Sequence, residues 1–261
     1  MPNAPSTRLP AELTDSIIDH LYADYRSLKI CSTVCKTWLP RSRHHLFDDV
    51  NVCLQHSNHD SFFQLLDSPR ATLVPYVRRL TLRDQRGDKW VFRAIHRLTA
   101  LTAVKSLVVE QMQFAELQTK TIPALCAAFR GLESLRMYQV SFGSLAHLMN
   151  MLSASTSLEH IELSMVEWDS IEMCSTDGDQ KAPSRLRSLT LGSNCNKNAV
   201  IAWLQFCRPV PSIEVLQLSL IRKAPTQSMC NFLCILGPSL KSLGLGFAAT
   251  YGDVGGVERE H

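Results

Sequence analysis

One short pattern recurs seven times along this 261-residue chain, and it constrains the fold more than any other feature. Each copy has apolar residues at positions one, four and six. Position one is filled in turn by Val77, Val104, Leu132, Leu158, Leu186, Ile213 and Leu240, at intervals of 27, 28, 26, 28, 27 and 27 residues. Units of this size bury a continuous core only when neighbours stack. The sequence therefore predicts a repeat array over residues 76–261.

The pattern within each copy predicts a strand followed by a helix. Positions four and six, such as Leu189 and Leu191, are two residues apart and so lie on one face of a strand. Amphipathic stretches at 121–129, 143–152 and 198–207 predict helices between strands. Stacked copies of this kind predict an α/β fold with parallel strands.

A charged residue stands at position two of every copy. In a parallel stack these residues become neighbours about 4.8 Å apart, and four of the six adjacent pairs have opposite signs. The sequence therefore predicts a ladder of weak ion pairs at an exposed edge. The members are Arg78, Lys105, Glu133, Glu159, Arg187, Glu214 and Lys241.

The interval and the L-x-x-L-x-L core resemble leucine-rich repeats. The resemblance implies a solenoid with parallel strands on its concave face and helices on its convex face. The Asn that usually follows the strand is nearly absent, so the roughly seven repeats are irregular. Position nine holds Gln85, Met112, Val140, Val166, Asn194, Ile221 and Ala248.

Two parts of the array depart further from a regular repeat. The return segment of the fourth copy, residues 174–185, is polar and contains Gly178 and Pro183, which predicts an exposed loop. After the last copy the sequence shows no amphipathic helix. We therefore expect the C-terminal cap of the array, which ends at residue 261, to be missing.

Residues 1–50 predict a separate helical module. Pro10 suits the start of a first helix, along which Leu13, Ile17 and Leu21 recur every four residues. Fewer than about 50 residues cannot bury all of their large apolar side chains in one core. Some of this apolar surface is therefore expected to contact a partner.

The second helix of this module is predicted to begin after Asp24, a good N-cap. It is expected to run through Leu28, Cys35 and Trp38 and to end at Pro40. A third short segment, residues 41–47, closes the module. A linker with one helix, within residues 60–69, is predicted for residues 51–75.

The helical module resembles an F-box, the domain that binds the Skp adaptor of cullin–RING (SCF-type) ubiquitin ligases. The pattern is Leu-Pro-x-Glu, an apolar pair, and a second helix that ends in Val-Cys-basic-x-Trp. The positions that the resemblance assigns to adaptor binding are Leu9, Pro10, Leu13, Ile17, Leu21, Leu28, Val34, Cys35 and Trp38. The match covers about 40 residues over two helices, which makes it more specific than a short motif.

The two resemblances together imply a substrate-receptor subunit of an SCF-type ligase. The F-box would hold the Skp adaptor, and through it the cullin and RING subunits, while the repeats would hold a protein target. The alternative is an interaction scaffold that assembles partners without ubiquitin transfer. The sequence does not separate these two functions, and both are non-catalytic.

A target surface is expected on the concave face, where the resemblance places positions five and seven. The first four copies carry Arg83, Glu110, Arg136, Tyr138 and Glu162 there, whereas the later copies carry small residues. Tyr and Arg are enriched at binding hot spots. The alternatives are that these are ordinary solvated strand residues or that a target binds the 174–185 loop.

The sequence offers no enzyme signature. No nucleophile stands beside a base, and no cofactor or metal is expected. Cys53-x-x-His56-x-x-His59 has ligand-like spacing but lacks a second half. Nine cysteines without a secretion signal predict reduced thiols, and hence a cytoplasmic or nuclear protein.

The composition gives no indication of nucleic-acid or membrane binding. The net charge of +3 is mild, and no apolar run reaches membrane length. With 45% hydrophobic residues the chain can bury a sizeable core. Protein partners are therefore the expected ligands.

Overall fold

The computed structural model describes residues 9–53, 58–69, 72–84, 96–114, 130–170, 181–221 and 226–247. In this part of the chain three helices come first, and a single sheet of eight parallel strands follows. The predicted α/β class and the parallel strands are confirmed.

The first three helices are α1 (Ala11–Asp19), α2 (Tyr25–Val34) and α3 (Leu39–Phe47). Pro10 directly precedes α1. Asp24 caps α2 as predicted, because its carboxylate accepts hydrogen bonds from the N–H groups of Arg26 and Ser27, both at 3.1 Å. These contacts satisfy donors that have no partner inside the helix.

The second helix is shorter than the sequence predicts. Cys35 adopts an extended backbone (φ −160°, ψ 169°), so α2 ends at Val34 and does not reach Trp38. Pro40 does not end a helix but lies in the first turn of α3. Proline is tolerated there because the first turn leaves its backbone nitrogens unpaired in any case.

The eight strands follow one another in the sheet in the order in which they occur in the chain. They are β1 (Asp49–Cys53), β2 (Arg79–Arg83), β3 (Ser106–Phe114), β4 (Ser134–Ser144), β5 (His160–Ser170), β6 (Ser188–Leu191), β7 (Val215–Ile221) and β8 (Ser242–Phe247). Each strand therefore pairs with the strand of the next copy.

Positions one, four and six of the copies form the core beneath the sheet. In the first six copies all of these side chains are at most 3% exposed. The last copy differs, since Leu243 and Leu245 are 44% and 42% exposed. The stacked apolar side chains are thus buried in the first six copies and partly exposed at β8.

The sheet begins earlier than the seven aligned copies. Val50 and Val52 of β1 register with Leu80 and Leu82 of β2. This strand lies across the predicted boundary between the helical module and the linker. It escapes detection because Phe47, Val50 and Val52, which fit positions one, four and six, begin 30 residues before Val77, outside the interval of 26–28 residues between the other copies.

Further helices between strands are α4 (Asn58–Asp67), a 3₁₀ helix (Val74–Tyr76), α5 (Leu145–Ala154), α6 (Lys197–Phe206) and α7 (Thr226–Leu236), and residues 96–98 are also helical. Helices α5 and α6 occupy two of the stretches that the sequence predicts as helical. The third, residues 121–129, lies outside the described residues, as do 174–180 of the predicted loop and everything after Phe247.

A left-handed residue changes the side-chain alternation in three successive strands. Position eight of β3, β4 and β5 takes a left-handed conformation, with φ of 55°, 54° and 53° at Gln111, Gln139 and Met165. The next residues, Met112, Val140 and Val166, are at most 4% exposed. The left-handed residue turns these apolar side chains into the core, and the strands keep the same register on both sides of it.

The difference in exposure between two leucines at position four provides a test of the core. Leu189→Ala should lower the free energy of unfolding by about 2–5 kcal/mol, because Leu189 is 1% exposed and its removal leaves a cavity. Leu243→Ala, at the open end, should cost less than half as much. Urea unfolding measures both, and equal losses would contradict the burial described here.

Candidate protein-interaction surfaces

Exposed apolar residues of α1 and its flanks form the first candidate surface. Leu9, Leu13 and Ile17 are 52–55% exposed. On the other side of α1, Thr14 and Ile18 are buried, and the Thr14 hydroxyl donates to the carbonyl of Ala11 at 2.7 Å. The inner face of the helix is therefore already filled, and the outer apolar residues have no core of their own.

The residues predicted to bind an adaptor do not all lie on this surface. Leu9, Pro10, Leu13, Ile17, Val34 and Cys35 are exposed, Leu21 and Trp38 are half-buried, and Leu28 is fully buried. Leu28 therefore packs inside the helical module and stabilises it, rather than lying where a partner could reach it.

Three exposed apolar residues were not singled out by the sequence. Tyr22 is 67% exposed, Tyr25 53% and Ile30 60%. Ile30 could have been found, because it lies two positions from the buried Leu28 and hence on the opposite side of α2. The two tyrosines flank the turn into α2, where no periodicity marks them. We call the exposed residues Leu9, Leu13, Ile17, Tyr22, Tyr25, Ile30 and Val34 the helical apolar surface.

A carboxylate links α1 to α3 and holds this surface in place. Asp19 accepts a hydrogen bond from Nη2 of Arg41 at 2.6 Å and forms a 2.8 Å contact with Nε2 of His45. The Arg41 guanidinium holds the pKa of Asp19 well below its usual range, with a smaller contribution from His45. A lowered pKa means that the folded state favours the ionised carboxylate.

This linkage predicts how stability depends on pH. The wild type should be more stable than Asp19→Asn above about pH 5, where the carboxylate is ionised in both folded and unfolded chains. The difference should shrink as the pH falls below about 4, because the unfolded chain then takes up the proton first. Urea unfolding of both proteins from pH 6 to pH 3 measures it. A difference that stays constant over this range would show that Asp19 acts through packing alone.

The second candidate surface is the face of the sheet opposite the buried leucines. Arg83 on β2 donates to Glu110 on β3, with Nε 2.6 Å from Oε2. Arg136 on β4 donates in the same way to Glu162 on β5 at 2.7 Å. Tyr138, which is 40% exposed, lies in register with Glu110. The structure thus brings the five predicted target residues together on four adjacent strands.

Pairing removes most of the charge from this face. Each arginine is bound to a carboxylate of the next strand, so neither presents a free charge to a partner. Exposed ion pairs of this kind add little stability. Their side chains can therefore leave each other at little cost and contact another molecule. What remains is a polar face with one exposed aromatic ring.

The rows of side chains at positions five and seven become smaller towards β8. Gly192 lies so close to Ser164 that a Cβ at this position would be 2.6 Å from the serine Oγ, which excludes a larger residue. Gly244 and Gly246 continue the rows on β8. Large side chains that could contact a partner are therefore concentrated on β2–β5.

A third row on this face was missed by the sequence. Position three alternates with position four, so it faces the same side as positions five and seven. It holds Arg79, Ser106, Ser134, His160, Ser188, Val215 and Ser242. Arg79 bonds to Asp48 at 2.6 Å. The period-two rule that identified the other rows could have found this one.

The charge ladder at position two forms in part. Lys105 pairs with Glu133 at 2.8 Å, and Lys241 pairs with Glu214 at 2.9 Å. Bonds to these lysines lower the pKa of both glutamates. Glu159 instead binds Arg185, at 2.6 Å, which lies outside the ladder. These exposed pairs fix local geometry more than stability.

Metal-ligating and thiol side chains are also present in the described residues. No group of three or more His, Cys, Asp or Glu side chains among them could hold a metal ion. His56 of the Cys53–His59 spacing lies outside them. Burial raises the pKa of the Cys195 thiol to about 11 and also raises that of Cys207, so both stay protonated near neutral pH.

Comparisons with protein-family models and with curated proteins give no match for this chain. Within the described residues, no helix combines the length and the apolar character needed to cross a membrane. The helical apolar surface and the polar face of β2–β5 are therefore the two features on which a functional proposal can be based.

Proposed function

We propose that this chain is a substrate-receptor subunit of an SCF-type cullin–RING ubiquitin ligase. In this proposal the helical module is an F-box that binds the Skp adaptor, and the parallel sheet belongs to a leucine-rich-repeat solenoid that binds a protein target. The observation that carries it is the helical apolar surface. Four of its members, Leu9, Leu13, Ile17 and Val34, stand at positions of the F-box pattern and are more than half exposed.

Burial of this surface by a partner is energetically reasonable. Each large aliphatic side chain gains about 1.5–3 kcal/mol when it is removed fully from water. The inner residues Ile18 and Leu28 are fully buried, so docking would not need to rearrange the module. A rigid apolar surface that needs no refolding is what a constitutive adaptor contact requires.

The role of the chain would be positional. The sheet begins directly after α3, since β1 starts two residues beyond Phe47. The module and the sheet are thus joined without a flexible spacer. A target on β2–β5 would be held at a fixed position relative to the adaptor, and the complex would raise its effective concentration near a ubiquitin-charged conjugating enzyme.

One double variant and its matched control test the adaptor-binding surface of the proposal. Leu9→Ala with Pro10→Ala should abolish co-purification of the Skp adaptor, because truncation of interface anchors typically costs 2 kcal/mol or more. Phe206→Ala with Ile235→Ala removes exposed apolar surface elsewhere, since these residues are 69% and 48% exposed, and should leave adaptor binding unchanged.

The target side uses the reciprocal variant. Arg136→Ala with Tyr138→Ala should retain the adaptor but lose the proteins that affinity capture and mass spectrometry assign to the wild type. Captured targets should also accumulate when the cullin is inhibited. Adaptor binding that survives the Leu9 and Pro10 substitutions would reject the F-box assignment. Targets that bind but do not accumulate would favour the scaffold without ubiquitin transfer.

A further inference from the structure

A groove of about 370 Å³ lies between α2, α3 and α4 and the segment that leads to β2, and it shares only Tyr25 with the helical apolar surface. Tyr25 and Leu65 form its rims and are 53% and 48% exposed. Leu46 and Phe47, both half-buried, also line it, together with the buried Leu73. The groove therefore presents apolar surface on two sides that the fold itself does not cover.

The charged residues of the groove have one sign. Lys29 and Arg43 line it, and none of the lining residues is acidic. Within the described part of the chain, neither cation lies within ion-pair distance of a carboxylate, whereas Arg41, Arg83, Arg97 and Arg136 each do. The Arg43 guanidinium donates to the hydroxyl of Thr72 across the groove. Two uncompensated positive charges beside apolar surface favour an anionic ligand with an apolar part.

The openness of the groove indicates what kind of ligand fits. Sites for small molecules usually enclose most of the ligand surface. Here both rim residues are about half exposed, so a bound small molecule would remain largely in contact with water. A peptide can pass through an open groove and insert only one or two side chains, and its neighbouring carboxylates can then reach the two cations.

We propose that this groove binds an acidic peptide segment of a partner protein. A long aliphatic or aromatic side chain of the peptide would pack between Tyr25 and Leu65. Carboxylates next to it would face Lys29 and Arg43, and the hydroxyls of Ser32 and Thr72 line the same groove as hydrogen-bonding groups. This site does not depend on the identity of the adaptor or of the target.

The test uses a fluorescein-labelled peptide of sequence Gly-Ser-Glu-Leu-Phe-Glu-Glu-Ser-Gly and the full chain, with fluorescence anisotropy as the readout. Two matched peptides replace the glutamates by glutamine or the Leu-Phe pair by Ala-Ala. The original peptide should bind saturably, and each matched peptide should bind at least about tenfold more weakly, since it lacks one of the two complementary features. Absence of saturable binding by the original peptide would overturn the proposal.

A pair of charge variants locates the site. Lys29→Gln with Arg43→Gln should weaken the peptide at least about tenfold, whereas Arg26→Gln with Lys36→Gln, which removes two exposed cations of the same module outside the groove, should change binding less than about twofold. Equal weakening by both pairs would show nonspecific attraction and reject the site. Loss of the Arg43–Thr72 bond in the double variant could disturb folding. Lys29→Gln alone keeps that bond, lies on an exposed helix position and should still weaken binding by about threefold.

Failure of the peptide-binding proposal can be distinguished from failure of the ubiquitin-ligase proposal. Leu9→Ala with Pro10→Ala should leave peptide binding unchanged, because neither residue lines the groove. The Lys29 and Arg43 variant should conversely still bind the Skp adaptor if the chain is an F-box protein. Loss of the peptide in the Leu9 and Pro10 variant would place it on the helical apolar surface and contradict the groove.

Discussion

The sheet depends on one backbone interaction that is repeated from copy to copy. The carbonyl at position two accepts two hydrogen bonds from the next copy, one from the N–H at position two and one from the N–H at position three. Glu159, for example, accepts from Arg187 and Ser188, both at 2.9 Å. Because this contact sets the register, the apolar residues of positions four and six stack directly on their counterparts. The same contact joins the helical module to the sheet, since the carbonyl of Asp48 accepts from Arg78 and Arg79 at 3.1 and 2.8 Å.

This interaction explains which features were predictable from the sequence. The positions of β2–β8 followed from the leucine pattern, whose side chains are buried in every copy except the last. The grouping of Arg83, Glu110, Arg136, Tyr138 and Glu162 followed from the same register. The first strand was missed because its apolar residues begin 30 residues before Val77, a longer step than the interval between the other copies. The end of α2 was misplaced because the apolar spacing continues through Cys35 and Trp38, whereas the backbone becomes extended at Cys35 and ends the helix at Val34.

The left-handed residues in β3–β5 could not be predicted from the sequence either. Gln111, Gln139 and Met165 are residues for which a positive φ is uncommon, so nothing local indicates it. Burial of Met112, Val140 and Val166 offsets the cost of that conformation. Beyond these residues, the rings of Phe114 and Phe142 stack with centroids 5.2 Å apart. The second segments of β3 and β4 are thus apolar and add to the core.

The central functional claim is that a partner covers the helical apolar surface while the sheet stays free for a target. Hydrogen–deuterium exchange of the full chain with and without purified Skp adaptor tests it most directly. The account predicts slower exchange in peptides that cover residues 9–35 and no change in the strands from β3 to β7. Absence of protection in residues 9–35, or protection confined to the sheet, would contradict it.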